Sequence, residues 1–392
     1  MTDMLQEWDD HIHAFVELSD TPATGGPLGG LSVGVKDIID VAGLPTKNGS
    51  AACADARPAV RDATVVHRLR AAGARIVGKT TTTEFAFTDP TPCRNPHNLA
   101  LSPGGSSSGS GAAVGAGIVD IALGTQTAGS LIRPSAYCGS VGFKPTAGLL
   151  PLDGVTPLAR SFDTVGIIAR DVSLAKRAFD VVAPNAAPID PDAPNVVCGL
   201  WNTEVEVVSD WMQALDEARE ALCSFSHLIA CDLPLDVDRI VSAHRTVMCA
   251  EAFKAHHALL GEDRAQVLKP KFRAGLETGR AVSSIALKEA QHQLAEARKR
   301  FWRAMKDTDL ILTLPVPDGA PLMDGTTGFQ DWLIPWTVFG GPLICLPWGI
   351  DARSRPRSVM LAAHPGQDSF LLSVAARLEG HAPELPAPQL PD

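Results

Sequence analysis

Lys36 lies in the middle of an apolar segment, VGVKDII at residues 33–39, whose pattern predicts a β-strand. Because successive side chains of a strand point to opposite faces, we do not expect Lys36 to pair with Asp37. A lysine held among apolar side chains loses its charge readily, which lowers its pKa and lets it act as a base near neutral pH. Taken alone, the segment favours the plainer alternative, a lysine at the end of a strand whose amine reaches water.

A second candidate segment, GTQTAGS at residues 124–130, follows an apolar run and consists almost entirely of small residues. Successive backbone N–H groups in such a loop can converge on one oxygen atom and form an oxyanion hole. Ser130 ends the segment and is placed to attack a carbonyl carbon. A simple turn between a strand and a helix explains the segment equally well.

A third segment, GGSSSGSG at residues 104–111, lies between the other two. No lysine follows it directly, which argues against a phosphate-binding loop. Residues 105–109 match the G-x-S-x-G pattern of hydrolases, which would make Ser107 the nucleophile, but a Ser/Gly-rich segment produces this match easily by chance. Of the eleven histidines, His364 is the best candidate for a partner, and no acidic residue can be assigned to it.

The three segments together resemble the amidase signature family. The motifs occur in the order GVKDIID, GGSSSGSGAAVGAG, GTQTAGS and FKPT, with Ser130 24 positions after Ser106 and Lys36 70 positions before it. The resemblance extends from about Leu31 to Gly349, through motifs such as GKTTTTEFAF and WTVFGGPLICLPWG. Several independent motifs in the expected order are far more specific than any one of them.

The resemblance implies a role for each matching residue. Ser130 would be the nucleophile, Ser106 would take its proton across a cis Gly105–Ser106 peptide, and Lys36 would be the base behind Ser106. The implied oxyanion hole consists of the N–H groups of Thr127, Ala128, Gly129 and Ser130. Ser107 and Thr125 would support the hydrogen-bond network. This arrangement is a nucleophile–base chain without histidine.

Two residues depart from the usual pattern of the family. Gln126 stands where an acidic residue is common, and Arg133 is the third residue after the nucleophile instead of the second. Both features resemble the malonamidase branch, in which the arginine holds the carboxylate of a small amide acid, so Gln126 and Arg133 are predicted to bind substrate. Pro134 favours an extended backbone at Arg133, which would direct its side chain toward the acyl pocket. The alternative is that Arg133 only braces the loop through backbone carbonyls.

The order of the elements predicts an α/β fold. Helix then strand over 62–78, with Asp62 as the helix cap, precede a helix near 108–117, a strand near 119–124 and a short helix near 135–139. This order indicates one large mixed, mostly parallel sheet covered by helices. Amphipathic helices are predicted at 209–225 and at 284–306, the latter with Glu296 paired to Arg300.

We expect a single amidase domain over residues 1–392. Within it, the signature core spans 31–150, a helical substrate-side region spans about 171–305, and strands and a tail follow over 306–392.

Composition limits the class of protein further. A hydrophobic content of 45% excludes a disordered chain, and a net charge of −10 disfavours nucleic acid as a partner. The eight cysteines include no CxxC pair, so neither a metal site nor a redox motif is predicted. The sequence indicates neither a signal peptide nor a membrane span, so a cytoplasmic protein is expected.

The expected reaction is hydrolysis of the C–N bond of a small linear amide, through an acyl-enzyme and without a metal or organic cofactor. The substrate is expected to carry a carboxylate, as malonamate does. Two alternatives stay open: a hydrolase of neutral or aryl amides, esters or hydrazides, and an amidotransferase-type subunit that supplies ammonia to a partner. The resemblance also leaves open whether the chain works as a homodimer.

Overall fold

All the strands that the structure describes belong to one sheet of eleven strands, with twelve α-helices around it. The computed structural model describes residues 2–19, 22, 24–184, 194–200, 204–229, 233 and 236–390. The strands are β1 (Phe15–Leu18), β2 (Ser32–Lys36), β3 (Arg75–Thr80), β4 (Ile121–Gln126), β5 (Val141–Lys144), β6 (Thr164–Ala169), β7 (Asn195–Cys198), β8 (His227–Ile229), β9 (Leu310–Thr313), β10 (Leu343–Ile350) and β11 (Pro356–Ala363). The helices are α1 (Thr2–Ile12), α2 (Thr64–Ala71), α3 (Ser108–Gly115), α4 (Ile132–Cys138), α5 (Val172–Val182), α6 (Ser209–Cys223), α7 (Val237–His256), α8 (Glu262–Ala265), α9 (Pro270–Ala281), α10 (Ser284–Ala304), α11 (Ile334–Phe339) and α12 (Asp368–Glu379).

The strand order is β1-β3-β2-β4-β6-β5-β10-β11-β9-β7-β8, so the predicted α/β fold with one large mixed sheet is confirmed. The expectation that the sheet is mostly parallel was too strong: among the described strands, only β2–β3, β2–β4, β7–β8 and β7–β9 pair in parallel, and six pairings are antiparallel. For β10 and β11 the physical reason is a short connection. Residues 351–355 join β10 to β11, and so short a link can connect only antiparallel neighbours.

The glycines of the Ser/Gly-rich segment let helix α3 lie in close contact with its neighbours. A Cβ atom on Gly109 would lie 2.0 Å from the carbonyl oxygen of Ala14, and one on Gly111 would lie 3.0 Å from that of Pro134 in α4. Only a helix without side chains at these positions can be covered so closely on both sides. The close packing places the segment that precedes α3 against the edge of the sheet.

Lys36 and Asp37 need not pair, and in the structure they do not. Asp37 forms an ion pair with Lys79 of β3 instead, with 3.0 Å between the charged atoms and both side chains buried. The Asp37 carboxylate also accepts the backbone N–H groups of Lys47 and Gly49. The Lys36 side chain therefore points to the opposite face of the sheet and takes no part in this ion pair.

Two local predictions on helices were wrong. Helix α2 begins after Ala63 without a side-chain cap; Asp62 accepts the backbone N–H of Ala42 and pairs with Arg70 instead. Glu296 pairs with Lys299, one turn away at i+3, and not with Arg300. Both spacings satisfy the same geometry on a helix surface, and sequence alone does not choose between them.

No helix in the described part of the chain combines the length and apolarity that crossing a membrane requires.

Candidate active site

Strands β2 and β4 bring Lys36 to the two hydroxyl groups predicted to accompany it. The strands pair in parallel, with Val35 beside Leu123, so their carboxyl ends meet at the same edge of the sheet. The Lys36 Nζ atom lies 2.6 Å from the Ser106 Oγ atom and donates a hydrogen bond of 2.8 Å to the Thr125 Oγ1 atom. Lys36 and Ser106 are fully buried.

Burial lowers the pKa of Lys36 well below its usual value, and the more distant carboxylate of Asp163 opposes this shift only in part. The neutral amine has two N–H groups and one lone pair. One N–H group satisfies Thr125, and the lone pair can receive the hydroxyl proton of Ser106. The geometry therefore suits a base that works through Ser106.

The hydroxyl group of Ser107 is engaged with strand β4. It accepts the N–H of Thr125 at 3.2 Å and lies 3.3 Å from the carbonyl oxygen of the same residue. The Ser107 side chain is fully buried, whereas Ser130 keeps 6% exposure. The arrangement favours Ser130 over Ser107 as the nucleophile. The Gly105–Ser106 peptide, which precedes α3, is cis.

The carbonyl groups of the loop from Thr127 to Ser130 are bonded to groups outside the loop. The hydroxyl group of Thr127 donates a hydrogen bond of 2.6 Å to the half-buried carboxylate of Asp163. Three consecutive carbonyl oxygens accept hydrogen bonds from His244 Nε2 (on Thr127), from Thr337 Oγ1 (on Ala128) and from the N–H of Arg133 (on Gly129). Their peptide planes are thus fixed from outside, and the N–H groups that follow them point the other way.

Gln126 is a correction to the predicted substrate contacts. Its side chain is fully buried, and its carbonyl oxygen accepts the N–H groups of Leu131 and Ile132 at 3.2 and 3.1 Å. Its amide nitrogen donates to Thr337 Oγ1 at 3.0 Å. With these groups occupied within the protein, Gln126 holds the turn that follows Ser130.

The backbone of Arg133 is also different from the prediction. Helix α4 begins at Ile132, so Arg133 is helical and not extended. Pro134 is compatible with this because it occupies the first turn of the helix, where its missing N–H has no partner to lose. The conformation carries the Arg133 side chain back toward the Ser/Gly-rich segment.

The guanidinium of Arg133 is buried beside the loop and only partly satisfied. Its Nη2 atom donates to the carbonyl oxygen of Gly105 at 2.6 Å and to Thr327 Oγ1 at 3.3 Å, whereas Nε and Nη1 have no hydrogen-bond partner within the described ranges. A Cβ atom on Gly129 would lie 3.5 Å from Nη1, so this unsatisfied nitrogen faces the loop from Thr127 to Ser130. Burial lowers the pKa of Arg133 to about 10, which keeps the group charged at neutral pH.

Thr327 connects Arg133 to a surface cleft of about 470 Å³. Arg245, Lys271 and Asp331 also line this cleft, and Arg245 is bound to both carboxylate oxygens of Asp331 at 2.6 and 2.7 Å. A second cavity of about 380 Å³ lies between α7 and α10, and no predicted site residue lines it. No predicted site residue lines the cleft at Thr327 either, but Thr327 bonds Arg133, and we therefore place the candidate site beside that cleft.

Sequence reasoning missed several residues that contact the site. They come from distant segments: Asp163, His244, Thr327 and Thr337. Only Thr337 belongs to a motif that we used, WTVFGGPLICLPWG, and no role was assigned to it there. His244 lies in a helical segment that looked like ordinary core or surface.

By contrast, His364 bonds to carbonyl groups of Met305 and Thr308 and is not near the site residues. Within the described ranges, no three His, Cys, Asp or Glu side chains are grouped as metal ligands.

Comparison with known proteins defines the class. A family model described as "Amidase" matches residues 17–372, and the chain belongs to this family. It is 31% identical to a glutamyl-tRNA(Gln) amidotransferase subunit from Anaeromyxobacter dehalogenans (strain 2CP-C), over 97% of this chain and 89% of that protein. It is 32% identical to the putative amidase AmiD of Mycobacterium bovis, over 91% and 80%. A crystal structure of an amidase superposes with a TM-score of 0.89 at 26% identity and covers 97% and 94% of the two chains.

Proposed function

We propose that this protein is a serine amidohydrolase that cleaves the C–N bond of a small linear amide carrying a carboxylate. The observation that carries the reaction type is the 2.6 Å contact between Lys36 Nζ and Ser106 Oγ, in a site where burial favours the neutral amine. The observation that carries the substrate class is the buried guanidinium of Arg133, which faces the loop of the nucleophile with two nitrogens unsatisfied. Membership of the amidase family supports the first part.

In the proposed reaction, Ser130 Oγ attacks the amide carbonyl carbon. Its proton passes to Ser106 Oγ, and the proton of Ser106 passes to Lys36 Nζ. The negative charge that forms on the carbonyl oxygen is stabilised by the N–H groups of the loop from Thr127 to Ser130. The intermediate then collapses, the C–N bond breaks, and the proton returns through Ser106 to the leaving nitrogen, so that ammonia departs from a primary amide.

Hydrolysis of the acyl-enzyme follows the same route in reverse. Water attacks the ester carbon on Ser130 and gives its proton through Ser106 to Lys36. The bond to Ser130 Oγ breaks, that oxygen regains a proton, and the carboxylic acid product leaves. No group outside the chain is required to balance these steps.

The carboxylate preference follows from the cost of burying an unpaired charge. The ion pairs of the described residues include none on Arg133, and the nearby carboxylate of Asp331 is taken by Arg245. A substrate carboxylate bound at Nη1 would replace the lost hydration of the guanidinium with a charge-assisted hydrogen bond. The cleft of about 470 Å³ has a volume typical of a small-molecule site.

An amide panel tests the proposal. Malonamate and malonamide have nearly the same size and differ in one group, a carboxylate against a neutral amide. We expect ammonia release from malonamate with a kcat/KM at least 10-fold higher than from malonamide, because charge-assisted hydrogen bonds are worth about 1.5–3 kcal/mol. Equal or better turnover of malonamide would reject the carboxylate preference, and turnover of neither these amides nor aryl amides would reject the amidohydrolase.

The amidotransferase alternative is supported by the relatives, since several similar proteins are named as subunits of glutamyl-tRNA(Gln) amidotransferase. A protein of that kind should be idle on small amides by itself. It should release ammonia from glutamine only in the presence of ATP and a partner protein. Turnover of malonamate by the purified chain alone would exclude this alternative as the main activity.

A further inference from the structure

We propose that His244 is a positioning residue for the oxyanion hole. It fixes the peptide plane between Thr127 and Ala128. This inference rests on the proposed function, because it takes the loop after β4 as the group that binds the oxyanion. His244 belongs to helix α7, 117 positions from Thr127 in sequence, and none of the motifs that define the site includes it.

The contact between His244 and the loop is a single hydrogen bond in the interior. The imidazole is fully buried, and its Nε2 atom lies 2.8 Å from the carbonyl oxygen of Thr127. A carbonyl oxygen only accepts, so Nε2 must carry the hydrogen. The ring of Phe162 lies against the imidazole, 4.3 Å away between centroids, and holds its orientation.

The bond on the carbonyl oxygen determines where the next N–H group points. A trans peptide is planar, so the C=O of Thr127 and the N–H of Ala128 point in opposite directions. Because His244 holds the carbonyl oxygen of Thr127 toward α7, the N–H of Ala128 points away from α7 and into the loop. On the other side, the hydroxyl of Thr127 is held by Asp163 at 2.6 Å, so this residue is fixed at two points.

The charge state of His244 agrees with this role. Its Nδ1 atom is buried and has no hydrogen-bond partner among the described residues. A protonated ring would need an acceptor there, and burial lowers the pKa of His244 to about 4. The ring is thus a neutral donor at neutral pH and keeps one tautomer.

Three variants test the inference. His244→Leu removes the donor, whereas His244→Gln places an amide N–H near the position of Nε2 and keeps it. His256→Leu is a matched control: His256 lies on the same helix and its Nε2 atom bonds a carbonyl oxygen, that of Pro157, at 2.6 Å, outside the proposed site. The probe is p-nitrophenyl acetate, whose initial burst counts the active sites and whose steady state gives kcat and KM.

The expected result is a kcat per active site roughly 10- to 100-fold lower in His244→Leu, with KM nearly unchanged, since a misaimed group acts mainly on the transition state. His244→Gln should recover most of that loss, and His256→Leu should keep the wild-type kcat per active site. If His244→Leu keeps the wild-type kcat per active site, or lowers only the number of active sites, His244 has a structural role and the inference is wrong. A loss that His244→Gln does not relieve would also overturn it. A wild-type chain that turns over neither the ester nor the amides of the panel would instead reject the proposed function itself.

Discussion

The backbone N–H of Ser107 donates to the carbonyl oxygen of Ser130, at 3.1 Å, and this bond joins the Ser/Gly-rich segment to the loop after β4. The two serines stand next to each other in space but differ in what their hydroxyl groups do. That of Ser107 is bonded to the backbone of Thr125, whereas Ser130 is the more exposed of the two. The contact thus separates a supporting serine from the candidate nucleophile.

Replacing each serine in turn distinguishes these roles. Ser130→Ala should abolish turnover and prevent labelling by a serine-directed phosphonate, because the attacking oxygen is gone. Ser107→Ala should still be labelled, and peptide mass mapping should find the label on Ser130. Labelling on Ser107 in the wild-type chain would mean that the G-x-S-x-G interpretation was right and that Ser130 is not the nucleophile.

Lys36→Met keeps the length of the side chain and removes the base. We expect a loss of roughly 10²–10⁴-fold in kcat/KM, the usual scale for a lost general base. In the wild-type chain, kcat/KM should rise with pH through the lowered pKa of Lys36 and level off above it, since only the neutral amine accepts a proton. Rates that are insensitive both to Lys36→Met and to pH between about 5 and 9 would contradict the role of Lys36.

The buried amine also predicts how stability changes with pH. The unfolded chain holds a protonated lysine up to about pH 10.5, whereas the folded chain holds the neutral amine down to a much lower pH. Between these two pKa values the unfolded state binds one more proton, so raising the pH stabilises the fold. The free energy of unfolding of the wild type should therefore rise by about 1.4 kcal/mol per pH unit relative to Lys36→Met. Denaturant unfolding of both proteins at several pH values measures the difference, and parallel curves would show that Lys36 is charged in the fold.

Arg133→Leu separates the two substrate classes. The variant loses the bond to Gly105 as well as the charge, so some loss on every substrate is expected. The informative quantity is the ratio of kcat/KM for malonamate to that for malonamide, which should fall about 10- to 150-fold. Thr327→Val is the control, because it removes a neighbour of Arg133 and leaves the guanidinium in place. An unchanged ratio in Arg133→Leu would mean that Arg133 only braces the loop.

Gln126→Leu should damage the loop and leave substrate preference alone. The substitution leaves two buried N–H groups, those of Leu131 and Ile132, without their acceptor, and each such group costs about 1–3 kcal/mol. We expect a lower free energy of unfolding, with the ratio of kcat/KM for malonamate to that for malonamide unchanged. A changed ratio with unchanged stability would restore Gln126 to the substrate pocket.

The sequence by itself determined the chemistry-bearing segments and the class of fold. The roles of Lys36, Ser106 and Ser130 were predicted from the resemblance to the amidase signature family, which motif order and spacing carry, because a strand end, a glycine-rich segment and a tight loop each leave a local signature. The mixed α/β sheet followed from the alternation of strands and helices. These features depend on neighbours in sequence, which is why patterns of residues reveal them.

Only the tertiary structure decided the surroundings of these residues. Asp163, His244 and Thr337 reach the loop from 36 to 209 positions away, and the sequence assigned none of them to it. The backbone of Arg133 is helical and not extended as Pro134 had suggested, because the first turn of a helix tolerates proline. The side chain of Gln126 is buried because its carbonyl oxygen accepts the N–H groups at the start of α4. For His244, Thr337 and Asp163 the deciding interaction is a hydrogen bond between distant segments, and such a bond exists only after the chain has folded. For Gln126 and Arg133 it is the position at which α4 begins.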